Sequence, residues 1–546
     1  MNEVDNNIGK QTDERAGNPT ETGAGDRTTT RRGWLRGLAA AGMAGGLMTL
    51  GTQSVSASFG DRLSEYYEEF GTVIDVVEAG ADNTGKESIS DLLEDLEGED
   101  RLLVFPPGEY YMDKQWRFTG FDKFGIVGND ATIVSAPYED FDDQGHGVYR
   151  LFRFGTVKSP GGRLLVDGFT VDQTADGAGA RVIDTVVTDE LVVRDIDIQG
   201  QANMGCAGTA RFAVSDPSGT GIVERFNAPD GAAWIQDTPR DGTDPKDRGD
   251  TGIISNYYNR GELLFKDCVL GAYPSCGLYA SDGSGQIRVE GGRYANSNVA
   301  QIRLGGTDSY VDGATVVVDD SRDRDVAQRG IRLEDGNNLR VLNTDIQITS
   351  PAPNNHAISV QNSCESSWIQ DTQITIEGDR ANHGIVASDQ CGEMTIYRSG
   401  IDYDTSGGYP IWLRGGSNRT NVQDLTITDS AGTDYGYRDA IRCEQSNAEF
   451  RAVTINQLND TDRNGLVDTG DDTLVYKCDF RVHQFPLVEV GTGAHIEGFT
   501  GESHSGEPAV QLYDESADVL LKQSTLYNGI QDLGCEGLRT WGNTYP

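Results

Sequence analysis

"HAISVQNSCESSWIQDTQITIEGDRAN" (356–382) is followed at once by "HGIVASDQCGEMTIYRSGIDYDTSGGY" (383–409). Both segments open with histidine, a small residue and isoleucine. Histidine is scarce, six in 546 residues, so its return after 383 − 356 = 27 positions asks for a structural cause. The same phrase recurs on either side. "IRLGGTDSYVDGATV" starts at Ile302, "IRLEDGNNLRVLNTDI" at Ile331, "IWLRGGSNRTNVQDLTI" at Ile411 and "IRCEQSNAEFRAVTI" at Ile441. With Ile358 and Ile385 between them, successive isoleucines stand 29, 27, 27, 26 and 30 residues apart. Weaker copies begin near Val182, Ile253, Leu278, Pro486 and Val510.

Each unit reads as three short alternating strands separated by polar turns. Such a unit cannot bury its apolar residues alone and must stack on its neighbours. The expected fold is therefore all-β: a right-handed parallel β-helix, one coil per unit, with strands about 4.8 Å apart up the stack. Each coil itself supplies the crossover that parallel strands require. Asn, Gly, Asp and Ser in "EDGNN", "QNS" and "SDQ" suit the corners. A β-propeller needs repeats of about 40 residues and an α-solenoid needs apolar faces of period 3.6; neither pattern is present.

Stacking turns separated letters into columns. Alternation sends Ile358 and Val360 inward, Ser359 and Gln361 outward. One outward column then holds Arg329, His356, His383, Tyr409 and Asp439. The next holds Arg303, Arg332, Ser359, Val386, Trp412 and Arg442; a third holds Gly305, Glu334, Gln361, Ser388, Arg414 and Glu444. This face concentrates arginine, imidazole, aromatics and carboxylates in a chain otherwise poor in bases.

The formal charge is −41, from 86 acidic and 45 basic residues. The excess runs along the whole chain, as in proteins of salt-loving archaea, where concentrated salt screens self-repulsion. It argues against a nucleic-acid partner and against anionic membranes. A hydrophobic fraction of 36% excludes a disordered polymer. After the N-terminal region no stretch is apolar enough to span a bilayer. Near the start, "TTTRRGWLR" (28–36) precedes the small-residue run "GLAAAGMAGGLMTLG" and then "SVSAS". Arg31 and Arg32 ahead of an apolar segment and a small-x-Ala site resemble a twin-arginine export signal. Residues 1–57 are accordingly set apart, and a secreted or cell-surface location is expected.

Residues 58–135 read as an N-terminal cap and the first coils, and 136–546 as the β-helix, with insertions at about 201–250 and 458–472. The cap contains a helix-like stretch, Asp91–Leu96, with Ser90 as its candidate cap. "GADNTGKES" (80–88), "FPPGEY" (105–110) and "GIVGNDATIV" (125–134) resemble the opening of pectate-lyase-like proteins. That resemblance implies the β-helix fold with a short capping helix and a substrate groove along one strand face. It carries over no catalytic residue, because the superfamily holds lyases, hydrolases, tailspikes and proteins without activity. Polygalacturonase-type enzymes carry N-x-D, D-D, G-H-G and R-I-K on successive coils. Here "DDQGHG" (142–147) comes too early and no R-I-K follows, so it reads as coincidence. The R-x-P-x-x-R pattern of calcium-dependent pectate lyases is absent as well.

The expected function is recognition, and by extension cleavage, of an extracellular polysaccharide; the alternative is a non-catalytic surface or adhesion protein on the same scaffold. A uronate lyase needs a base and cations that stabilise the developing enolate, parts that Arg332 with His356 or His383 can play. A glycosidase needs two carboxylates flanking the bond, and Glu334, Asp335, Asp439 and Glu444 are available. Arg303, Arg329, Tyr409, Trp412, Arg414 and Arg442 are the candidate sugar-binding residues, by aromatic stacking and bidentate pairing.

"NDTDRNGLVDTGDD" (459–472) places Asp460, Asp462, Asn464, Gly465, Asp468 and Asp471 at positions 1, 3, 5, 6, 9 and 12 of a calcium loop, with the Leu466 carbonyl at position 7. It resembles EF-hand and dockerin-type loops, with Asp471 where glutamate is usual, and implies a structural Ca2+. Cys364 and Cys391 are again 27 apart, within disulfide reach if stacked. Asn418 and Asn459 head N-x-T acceptors.

Overall fold

The isoleucines that set the period stack as expected. Ile302, Ile331, Ile358, Ile385, Ile411, Ile441 and Leu466 are successive rungs of one parallel ladder, all fully buried. Burying each contributes about 1.5–3 kcal/mol. The computed structural model describes residues 59–145, 148–239, 249–352, 355–416, 418–433, 436–459 and 461–546. The expected export signal and His146 lie outside the described residues.

Residues 63–546 form one right-handed parallel β-helix whose coils each carry three strands. The first face includes Arg329–Leu333, His356–Val360, His383–Ala387, Ile411–Leu413, Asp439–Cys443, Asn464–Asp468 and Leu487–Glu489. The second includes Leu339–Leu342, Ser366–Gln370, Glu393–Tyr397, Thr420–Gln423 and Glu449–Arg451. The third includes Asp345–Ile348, Gln373–Ala381 and Gly400–Gly407. At the corner between second and third faces one residue per coil turns left-handed: Asn343, Asp371, Arg398, Asp424, Ala452 and Lys477, with φ between 47° and 54°. Asn and Asp tolerate this conformation; the others hold it because the ladders on both sides dictate it.

A short helix, α2 (Ser90–Asp95), lies where the cap was expected, with Ile89 and Leu93 buried in the interior beside Trp116. Ser90 is its first residue and not its cap; Ile89 holds that position without a side-chain bond. An earlier helix, α1 (Phe59–Glu69), was not foreseen. Tyr66 and Phe70 cover outward Leu102, Val104, Val127, Leu165 and Val192 on the second face. The signal was present: "RLLVF" and "LVVRD" are apolar on both faces, as strands covered on both sides must be.

Both expected insertions shrink. Within 201–250, Ala210–Val214 and Thr220–Ala228 are ordinary rungs paired with Arg181–Gln199. Their alternation was masked by flanking Gly and Asp. Within 458–472, Asn464–Asp468 pairs with Asp439–Cys443 below and Leu487–Glu489 above. Cys364 and Cys391 are both buried yet both are free thiols. The Cys364 sulfur faces the Ser366 carbonyl, whereas Cys391 receives the Gln445 amide. Burial pushes them up to about 12 and about 11, which disfavours the thiolates that oxidation requires.

One pair of acids faces the interior. Asp468 and Glu489 are ladder partners, each almost wholly buried and each accepting a backbone N–H, from Gly470 and Gly491 at 3.1 and 2.8 Å. Burial raises both carboxyls, and each would repel the other's charge, so the pair retains a proton. A carboxyl raised by folding contributes stability below its unfolded pKa and loses it as pH climbs through the raised value. The melting temperature should therefore fall as pH climbs above the ordinary carboxylate range and through the raised values of the pair, about 6 for Asp468 and higher for Glu489, and Glu489→Gln should flatten that fall and melt a few degrees higher at pH 8. Parallel melting curves for the two proteins would refute the shared proton.

Candidate functional site

The first face changes character along its length. Near its start, Arg150 and Arg181 close on Asp184 at 2.7 and 2.8 Å, all three buried, so the face is sealed there. Further up, the expected column Arg303, Arg332, Ser359, Val386, Trp412 and Arg442 is one continuous set of ladder partners.

Two of the expected lyase groups, Arg332 and His383, are engaged by neighbouring groups. Arg332 pairs with Glu334 through Nε and through Nη2, the latter at 3.1 Å, and Arg303 reaches the same carboxylate at 3.2 Å. Arg303 also lies over the Tyr279 ring at 4.3 Å. Both side chains are also nearly buried, Arg332 7% and Arg303 12% exposed, so neither guanidinium can turn outward to meet a uronate. His356 and His383 are ladder partners with ring centres 5.5 Å apart. His383 Nδ1 accepts the Tyr409 backbone N–H at 3.1 Å, which places its proton on Nε2. Burial, then the Arg463 charge, lowers His383 to about 4; burial holds His356 well below its ordinary value. Both rings are neutral near pH 7. His383 is the hub of an aromatic cluster, with Tyr437, Trp412 and Tyr409 at 5.1, 5.2 and 5.6 Å. Arg414 covers Trp412 from the exposed side at 5.1 Å.

The open cleft lies one coil beyond this cluster. It has a volume of about 410 Å³, and its lining includes Tyr409, Asp439, Arg442, Asp462, Asn464, Gln484 and Tyr513. Asp439 is only 5% exposed. Its Oδ1 accepts the Asn464 amide at 3.1 Å, and Arg442 stands 3.7 Å from Oδ2. Burial raises this carboxyl, more than Asn464, Arg442 and Arg463 lower it. Asp462, the second carboxylate of the cleft, accepts the Gln484 amide at 3.0 Å. Tyr409 forms one wall and packs edge to face on Tyr437 behind it, 5.0 Å away.

The residue that assembles this wall was not foreseen. Arg463 is fully buried and donates to the carbonyls of Gly408, Gly432, Tyr437 and Asp439 at 3.1–3.5 Å, and to Gln457 Oε1 at 2.9 Å. It stacks over Tyr403 at 5.3 Å. Gly408 allows this approach: its φ is +119°, and a Cβ there would meet the Asn382 carbonyl at 1.8 Å. The carbonyls that Arg463 gathers belong to the chain entries into two successive coils, next to Tyr409 and to Tyr437 and Asp439.

The calcium expectation does not fit this arrangement. Asn464 faces the cleft, Leu466 and Asp468 face the interior, and Asp471 Oδ1 accepts the Thr492 N–H at 3.0 Å. Asp460 lies outside the described residues. A strand holds these donors apart, whereas a calcium loop must fold them around one point. Among the described residues no three His, Cys, Asp or Glu side chains converge to hold a metal.

Nor, among the described residues, is any helix long and apolar enough to cross a membrane. No protein-family model and no curated protein matches the chain. Among solved structures it is similar to PfbA, a surface adhesin of Streptococcus pneumoniae, with TM-score 0.40 and 10% identity over 79% of this chain and 92% of that one. It is also similar to the A-module of the mannuronan C-5 epimerase AlgE4 of Azotobacter vinelandii, with TM-score 0.29 and 10% identity over 86% and 99%. A third is the family 28 exopolygalacturonase of Yersinia enterocolitica, with TM-score 0.25 and 10% identity over 87% and 78%. These likenesses concern the backbone fold alone.

Proposed function

We propose that the protein is exported, binds an extracellular polysaccharide on its first face, and hydrolyses a glycosidic bond in the Tyr409–Asp439 cleft. The observation that carries this reading is a nearly buried carboxyl, raised above its ordinary value, in an open polar cleft with tyrosine walls. A carboxyl raised in this way holds its proton to higher pH than a free one and can deliver it to the leaving oxygen. Asp462 in the same cleft is the second carboxylate that such chemistry needs, as base or nucleophile. Tyr409 offers a flat ring for a sugar to stack on, and Arg442, Asn464 and Gln484 offer hydrogen bonds. Hydrolysis is favoured over β-elimination because Arg332 is committed to Glu334, and His383 Nδ1 to the Tyr409 backbone.

The test is a screen of purified protein, in high salt, against acidic and neutral polysaccharides. New reducing ends without the absorbance of unsaturated uronates are expected. Unsaturated products would replace hydrolysis by a lyase reaction. Binding without any cleavage would leave the adhesion reading, and neither binding nor cleavage would remove the polysaccharide.

A further inference from the structure

The second face carries its own cleft, one side of the solenoid away from Asp439. Trp368 lies on the strand Ser366–Gln370 beside inward, buried Ile369, and is 38% exposed. Its outward ladder neighbours are Arg340 below and Thr395, Asn421 and Glu449 above. The parallel column runs Gln370, Tyr397, Gln423, Arg451 and Tyr476. Between the columns is a cleft of about 300 Å³ lined by Trp368, Thr395, Arg419, Asn421, Gln423, Glu449 and Arg451, with Val422 at its base. Trp368 Nε1 donates to Gln370 Oε1 at 2.9 Å, which holds the indole in place; Tyr397 is 6.4 Å away, ring to ring.

The charge of this cleft is opposite to that of the chain. Arg419 and Arg451 both pair with Glu449, at 2.5 and 2.8 Å, so two guanidinium groups share one carboxylate and leave 2 − 1 = 1 positive charge. The whole protein has a formal charge of −41. The remaining lining is neutral: an indole, a hydroxyl and two amides. A flat apolar ring beside amides and planar guanidinium groups is the chemistry that recognises a sugar ring bearing a carboxylate.

We infer that the Trp368–Arg419–Arg451 cleft is a second carbohydrate site, one that binds an acidic oligosaccharide: the pyranose ring lies on Trp368, its carboxylate meets Arg419 and Arg451, and its hydroxyls meet Asn421, Gln423 and Thr395. The site holds the polymer; it has no part in cleavage, and its occupancy does not depend on the chemistry at Asp439. It goes beyond the hydrolase reading, which concerns the first face only.

Calorimetric titration of the full chain with a saturated oligouronate hexamer, and with a neutral hexasaccharide, tests it. Wild type and Asp439→Asn should bind the uronate alike. Trp368→Ala should weaken that binding tenfold or more, and Trp368→Phe should recover part of it. The Arg419→Gln, Arg451→Gln double variant should lose the preference for uronate over the neutral sugar. All the substituted side chains except Asp439 lie at the surface, and melting curves verify that each variant is folded. The inference is overturned if wild type does not bind the oligouronate, if Trp368→Ala binds it like wild type, or if Asp439→Asn abolishes the binding. A protein that cleaves nothing but still needs Trp368 for binding would refute the hydrolase and leave this site standing.

Discussion

Asp439→Asn is expected to slow glycosidic cleavage by about 10²–10⁴-fold, the range for loss of a positioned proton donor. Oligosaccharide affinity should change little, because the amide keeps the shape of the carboxyl and its one oxygen still accepts from Asn464. The pH profile carries the sharper signature. The acid must be protonated to act, so activity should be lost as pH rises through the raised value of Asp439. Asn464 and Arg442 both lower that value. Removing either, as in Asn464→Leu or Arg442→Met, should move the alkaline limb to higher pH. A limb that stays in place in both variants, with cleavage intact in Asp439→Asn, would show that another group supplies the proton.

Arg463→Met should destabilise the protein by about 3–5 kcal/mol, the cost of leaving several buried acceptors without their donor. Methionine fills most of the volume and can still contact Tyr403. It leaves the carbonyls of Gly408, Gly432, Tyr437 and Asp439 without their donor in the interior, and each unsatisfied group costs about 1–3 kcal/mol. Arg463→Lys should lose nearly as much, since one ammonium cannot span four carbonyls from the entries of two coils. Denaturant unfolding measures the loss. Because Arg463 holds the entries to Tyr409, Tyr437 and Asp439, hydrolysis should fall in conditions where the variant remains folded. A variant with wild-type stability would mean that water or a rearranged backbone satisfies those carbonyls.

The columns were legible because they follow from one number. His356 and His383 become ladder partners once the period is 27, and Arg303, Arg332, Trp412 and Arg442 fall into one outward line by counting. The described residues bring together neither the calcium donors nor the two cysteine sulfurs, for the same physical reason. Spacing along the chain fixes where a residue sits in the stack; ligation and bonding depend on where its side chain points. In a strand, the letters that form a loop elsewhere are spread along a rung. The cleft itself was only half visible. Asp439 and Tyr409 stand in the repeat, but Asp462, Gln484 and Tyr513 come from corners and later coils whose lengths vary. Trp368 could have been found, since Ile369 inward places it outward in "SSWIQ".

What the amino-acid order determined by itself is the solenoid: period, strand faces, turn positions and the stacking of outward residues, all local properties repeated until they accumulate. What only the tertiary structure decided is which outward residues are free to act. Arg332 is paired with Glu334, and His356 and His383 are buried ring against ring, while Asp439 is buried, raised and open to a cleft. Burial and pairing are properties of three-dimensional neighbours several coils apart, and no periodicity encodes them.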